Sequence, residues 1–188
     1  MLYLGIDPSI NGNAYCLMDP TNKTITTHKF SAPKNKRKDI LDRLYLCYND
    51  LTTFIAMNKY IHATRIVCVI EQPEKQTSER GTIAHETNKY VKLCAAFGAT
   101  VASTQQRKFH TVLLATPSQW KGQVPKSITK KRMIKRYGTW VPFGSLERKT
   151  HDEIDAIGLA DWAYVKNEPL SHRENTNPGN VSQGKDSI

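Results

Sequence analysis

The sequence predicts an α/β domain built on one mixed five-stranded sheet flanked by helices, and three observations carry that reading. Residues 2–30 hold three short strand-like runs joined by tight turns, the pattern of an antiparallel meander. Residues 65–71 are apolar without alternation, the pattern of a strand buried on both faces and so of a central, parallel one. Elsewhere apolar residues recur every three or four positions, which is helical spacing. At 188 residues the chain suits a single core. The domain is expected over residues 1–166, with a flexible tail at 167–188 that is poor in aliphatics and rich in Asn, Ser, Gly and Pro.

In chain order, residues 2–7 form the first strand, and Pro8-Ser-Ile-Asn-Gly12 is the turn after it. Asn13–Asp19 is the second strand. Lys23–Phe30 is the third, with Thr24, Thr26 and His28 alternating against Ile25 and Thr27. A basic loop, Pro33-Lys-Asn-Lys-Arg-Lys38, leads into a long helix marked by Ile40, Leu44, Tyr48, Leu51 and Ile55. Arg65–Glu71 is the fourth strand. After the polar stretch Gln72–Gly81, a second helix is predicted from about Ile83 past Phe97, its face drawn by Tyr90, Cys94, Phe97 and Val101. Val112–Thr116 is the fifth strand, Pro117–Lys149 the most basic stretch, and Thr150–Lys166 the last helix.

Net charge is +10, with a pI near 9.5. A surface this positive attracts polyanions. The four cysteines, Cys16, Cys47, Cys68 and Cys94, are far apart, form no CxxC pair and lie in apolar or helical stretches. That spacing argues against structural zinc and disulfides and for reduced core thiols. The sequence enters its first strand at once, without a signal-peptide pattern, and holds no apolar run of membrane-spanning length. No membrane association and a cytoplasmic location, in a bacterium or a phage-infected host, are therefore expected.

Against that basic background, four acids occupy telling positions. Asp7 ends the run Met1-Leu-Tyr-Leu-Gly-Ile, and Glu71 ends Ile66-Val-Cys-Val-Ile. Asp152 and Asp155 lie three apart, on one face of the start of the last helix. A carboxylate closing a buried strand is costly unless compensated, and several such acids together suggest a divalent metal. Oxygen-only ligands select Mg²⁺, with Mn²⁺ as a substitute, over zinc. Three or four carboxylates are enough for two ions suited to in-line displacement at a phosphodiester. Thr150 and Glu153 match an S/T-x-x-E capping box, which gives Glu153 a structural task in preference to metal ligation. Asp152 alone is equally explained as a complement to the helix dipole. Asp155 is less easily explained as surface charge, because it precedes Ala156, Ile157 and Gly158. His151 is either an auxiliary proton donor or a solvated first residue of the helix.

Leu4-Gly-Ile-Asp-Pro-Ser9, Ile70-Glu-Gln72 and His151-Asp-Glu-Ile-Asp-Ala-Ile-Gly-Leu-Ala160 together resemble the motifs of RuvC-type Holliday-junction resolvases, in order and spacing over about residues 1–165. The resemblance implies a ribonuclease-H-like fold, a homodimer, Mg²⁺ dependence and paired nicks in branched DNA that leave 5′ phosphates. By motif position it makes Asp7, Glu71, Asp152 and Asp155 the catalytic and metal-binding tetrad. Ser118-Gln-Trp-Lys121 through Ser127-Ile-Thr-Lys130 is similar to the family's basic motif, which makes Lys121 and Lys130 candidates for the scissile-strand phosphates. The chain departs from the family after Glu71, where Gln72-Pro-Glu-Lys-Gln76 lacks the aromatic residue often found there, and Ala99–Val112 is longer than usual.

Between Lys121 and Lys149 stand nine Lys or Arg residues and one acid, Glu147. Lys121, Lys126, Lys130, Lys131, Arg132, Lys135 and Arg136 are the expected DNA-binding set, because a run this dense covers more than one helix face. Lys34, Lys36, Arg37 and Lys38 form a second basic patch. Trp120, Trp140 and Trp162 are expected in the core or at a dimer interface, with Trp120 the one that could stack on a base. The helix around Tyr90–Val101 is the candidate dimer interface. Rival readings are a ribonuclease H acting on RNA/DNA hybrids, a non-catalytic branched-DNA-binding module and, by its Gly5-Ile-Asp-Pro-Ser start alone, an actin-like ATPase. The chain is too short for the last.

Overall fold

The computed structural model describes residues 1–8, 12–31, 40–58, 65–72, 109–141 and 146–167. The expected basic loop at 33–38, the second helix with its interface face, the stretch after Gln72 and the tail beyond Asn167 lie outside the described residues.

Strands β1 (Leu2–Asp7), β2 (Gly12–Asp19) and β3 (Thr24–Ser31) form the expected antiparallel meander. Helix α1 (Ile40–Met57) follows, then β4 (Ile66–Glu71) and β5 (Phe109–Ala115). The sheet order is β3-β2-β1-β4-β5, with β4 parallel to both β1 and β5. The chain closes with a short helix α2 (Pro117–Trp120), helix α3 (Lys126–Tyr137), a 3₁₀ turn (Leu146–Arg148) and helix α4 (His151–Asn167). This mixed order, with flanking helices, is the ribonuclease-H-like arrangement. No helix among the described residues is long and apolar enough to cross a membrane.

Strand side chains alternate between faces, so each central strand feeds two cores. Leu2, Leu4 and Ile6 of β1 join Ile66, Cys68 and Ile70 of β4 and Leu51, Phe54 and Ile55 of α1. On the other face Tyr3, Val67, Val69 and Ala115 pack with Ile154, Ile157 and Leu159 of α4 and with Met133 and Tyr137 of α3. The unbroken apolar run of β4 is thus explained by burial on both sides.

Helix α4 lies close on β1 because Gly5 permits it. A Cβ there would stand 2.0 Å from the Ala156 carbonyl oxygen and 2.9 Å from the Ala160 nitrogen. Tyr137 of α3 donates its hydroxyl hydrogen bond to Asp161 of α4, and Arg136 pairs with the same carboxylate at 3.0 Å. Burial, with the Asp161 charge, pushes the Tyr137 hydroxyl far above its usual range. The cysteines described, Cys16, Cys47 and Cys68, are buried thiols that form no disulfide with one another.

Several boundaries differ from expectation, β2 and β4 by one residue at their starts and β5 by one at its end. Strand β3 begins and ends one residue later than predicted. Strand β5 starts at Phe109 rather than Val112, its register slipping opposite Ile66/Val67. Asn167 is the last residue of α4 rather than the first of a tail.

Candidate active site

The period-two alternation that builds the cores also aims the acids. Asp7 continues the Tyr3-Gly5 face of β1, and Glu71 continues the Val67-Val69 face of β4, so both carboxylates leave the sheet on the α4 side. The parallel register pairs Ile6 with Ile70, which makes Asp7 and Glu71 neighbours at the same end of the sheet. The first two turns of α4 bring Asp152 and Asp155 to that end, where both act electrostatically on Asp7.

The start of α4 is fixed by the predicted capping box. The Thr150 amide and hydroxyl both donate to Glu153 Oε2, at 2.9 and 3.0 Å, and the Glu153 amide donates to Thr150 Oγ1 at 3.3 Å. Thr27 Oγ1 of β3 donates to Glu153 Oε1 at 2.9 Å, and Lys149 pairs with it at 3.3 Å. Burial raises the Glu153 pKa, but the Thr150 and Thr27 hydrogen bonds and the Lys149 charge outweigh it, and the carboxyl ends below its ordinary value. Glu153 is the clamp that holds α4 in place. His151 is exposed at the first position of the helix.

The other acids are held differently. Asp155 is buried, with Lys121 Nζ 3.1 Å and Lys126 Nζ 3.8 Å from its Oδ2. Asp152 is half-exposed and pairs with Lys29 at 2.7 Å. Glu71 accepts a 2.8 Å hydrogen bond from the Trp120 indole. Its pKa is raised by burial, against the opposing pull of Lys121 and Trp120. Asp7 is raised further, first by burial and then by the charges of Glu71, Asp155 and Asp152, with Lys126 a lesser opposing influence.

Trp120 reaches Glu71 because α2 follows directly on β5. The Gln119 side chain accepts from the Thr116 amide at 2.8 Å and pins the turn. The indole ring lies on Gly158 of α4, where a Cβ would meet the ring at 2.3 Å. The sequence places Trp120 in the core or on a base, and the hydrogen bond to Glu71 gives it another task. Its sequence signal is weak: a Trp-Lys pair just past a strand parallel to the one that ends in Glu71. The Lys29–Asp152 pair is likewise absent from the sequence reading, although Ile25, Thr27 and Lys29 share the β3 face that lies toward α4.

Among the basic residues, Lys126, Lys131, Arg132 and Lys135 are exposed on or at the start of α3. Arg136 is exposed but shares Asp161. Lys130 instead donates to the carbonyls of Glu147 and Lys149, at 2.8 and 3.0 Å, and ties α3 to the turn before α4. Trp162 donates to the Gln119 carbonyl at 3.0 Å, and Trp140 packs edge-on against Tyr137.

Among the described residues no three His, Cys, Asp or Glu side chains form a closed metal-ligand set. The donor chemistry nonetheless suits a hard dication: all four acids offer oxygen, and a cation would offset the burial and the neighbouring carboxylates that raise the Asp7 pKa.

No family model matches the sequence, and no curated protein does. Solved structures do. RuvC of Thermus thermophilus in complex with a Holliday-junction substrate superposes with a TM-score of 0.58 at 15% identity, covering 88% of this chain and 94% of that one. The fold is that of RuvC. A second Thermus thermophilus RuvC structure gives 0.58 at 16% identity, and the fowlpox virus Holliday junction resolvase gives 0.51 at 16%, with 99% of that chain covered. The expected ribonuclease-H-like class and the structural likeness to resolvases are thus borne out.

Proposed function

We propose that this chain is a metal-dependent endonuclease of branched DNA, a crossover junction endodeoxyribonuclease that resolves four-way junctions by paired nicks leaving 5′ phosphates. One observation carries the reading above the rest. Carboxylates from the ends of two adjacent parallel strands and from the first turns of α4 gather at one end of the sheet, where burial and the neighbouring acids raise the pKa of Asp7 and Glu71, beside a helix of exposed Lys and Arg. Support comes from the likeness to the RuvC and poxvirus folds.

Asp7, Glu71, Asp152 and Asp155 are the residues proposed to hold Mg²⁺ or Mn²⁺, two ions per site. When bound, the metal supplies activation of the attacking water and stabilisation of the leaving 3′ oxygen. Trp120 orients Glu71, and the Glu153 clamp with Lys130 fixes the helix that presents Asp152 and Asp155. Lys121, Lys126, Lys131, Arg132 and Lys135 supply positive charge for the phosphates, which position the DNA without reading its sequence. A homodimer is part of the proposal, because opposed nicks in a near-twofold junction require two sites in fixed relation.

The test is incubation of the purified protein with labelled four-way junction, replication fork, plain duplex and RNA/DNA hybrid, each with Mg²⁺ or EDTA. Paired nicks in the junction, present with Mg²⁺ and lost with EDTA, are expected. Cutting of the hybrid alone would establish the ribonuclease H reading, and tight junction binding without cutting would establish a binding module.

A further inference from the structure

Lys121 is placed unlike the other cations of the basic segment. Its side chain is only 14% exposed, and its ammonium lies 3.1 Å from an oxygen of Asp155, whose side chain is 5% exposed. The same ammonium lies over the Trp120 ring, 4.5 Å from its centroid, a cation–π contact. Trp120 is itself fixed by Glu71 and by the space left at Gly158. Lys126, by contrast, is 58% exposed and reaches the same oxygen only at 3.8 Å. The Trp120-Lys121 dipeptide therefore occupies an oxygen on each of two acids, the indole on Glu71 and the ammonium on Asp155.

We infer that Lys121 is a built-in counter-ion that competes with a divalent cation for Asp155, so that metal entry requires its ammonium to leave. The inference rests on the metal-dependent reading of the site. Two cations on one carboxylate oxygen repel, and in a partly buried site that repulsion is weakly screened. Without metal, Lys121 offsets the repulsion among the acids and keeps the empty site folded. Once displaced, the ammonium is free to meet a DNA phosphate beside the site. Metal binding and phosphate binding then favour each other through one side chain.

The test measures Mn²⁺ binding to the full-length protein without DNA, by the loss of the free-ion electron paramagnetic resonance signal. Thermal melts with and without Mn²⁺ run alongside. Lys121→Gln is expected to bind Mn²⁺ at least about fivefold more tightly than wild type while melting lower without metal. Lys126→Gln should show a smaller gain, and Lys166→Gln, at the far end of α4, none. Should Lys121→Gln fail to fold, Lys121→Met keeps the stem on Trp120 and should show the same tightening. Lys121→Arg, which keeps the charge, should not. Unchanged or weaker Mn²⁺ binding by the uncharged variants, with wild type binding measurably, overturns the counter-ion role alone. No measurable Mn²⁺ binding by wild type or any variant overturns the metal-dependent reading and the counter-ion role with it.

Discussion

The capped start of α4 and the open ends of β1 and β4 treat buried acids in opposite ways. Glu153 meets Thr150, Thr27 and Lys149, and its carboxyl is pulled below its ordinary value. Asp7 feels the charge of three other carboxylates, and its pKa is driven up first by burial and then by that charge. A satisfied acid stabilises a fold, whereas a buried acid among like charges destabilises it and persists where function requires it. The contrast separates clamp from site within one helix-and-sheet contact.

The largest expected effect is on cutting. Asp7→Asn, Glu71→Gln, Asp152→Asn or Asp155→Asn each removes charge at nearly constant size. Each should lower junction cleavage by roughly a thousandfold or more, about 4 kcal/mol of transition-state stabilisation, while gel-shift binding of the junction is retained. Near-normal cleavage by Asp155→Asn would remove it from the site.

Next in size is the clamp. Glu153→Ala loses the capping box and the Thr27 tie and should destabilise by about 1–3 kcal/mol in denaturant melts. Because the Glu153 pKa is lowered on folding, its contribution is present above its unfolded value, near pH 4, and is lost as pH falls through the folded value. A Glu153→Ala penalty that did not shrink in acid would break the contrast.

Asp7 should behave in the opposite sense. Its pKa is raised on folding, so the folded state loses stability as pH rises from about 4 through the folded value. Asp7→Asn should therefore stabilise the metal-free protein at pH 7, on the order of 1 kcal/mol or about 2–4 °C, with the gain vanishing below about pH 4.

The basic helix gives the smallest change per residue. Replacing Lys131, Arg132 and Lys135 with Ala should weaken junction binding and lower the slope of log K against log salt by roughly 0.9 for each phosphate no longer neutralised. Lys130→Ala should leave that slope nearly intact and lower the melting temperature instead, because its ammonium holds the Glu147 and Lys149 carbonyls.

Much of this is legible in the sequence, for local reasons. Alternation along β1 and β4 puts Asp7 and Glu71 where strands end, and Thr150-x-x-Glu153 announces the start of α4. The small residues after Asp155 anticipate the tight packing on Gly5 and Trp120. Pairings between distant segments are not legible. Trp120 meets Glu71 across 49 positions, and the meeting depends on β5 running parallel beside β4. Lys130 stands among identical-looking cations, and only the fold of α3 on the turn before α4 assigns it to backbone carbonyls. The start of β5 escapes a sequence reading because Phe109-His110-Thr111 lacks an apolar run and enters the sheet past a register slip.

The most direct test of the central contrast is the melting temperature of wild type and Asp7→Asn at pH 7, each with EDTA and with saturating Mg²⁺. Wild type should melt lower than Asp7→Asn in EDTA and gain stability with Mg²⁺, while Asp7→Asn gains little or nothing. Equal Mg²⁺ gains in the two proteins, or an Asp7→Asn that melts lower than wild type in EDTA, would contradict an Asp7 held buried among like charges.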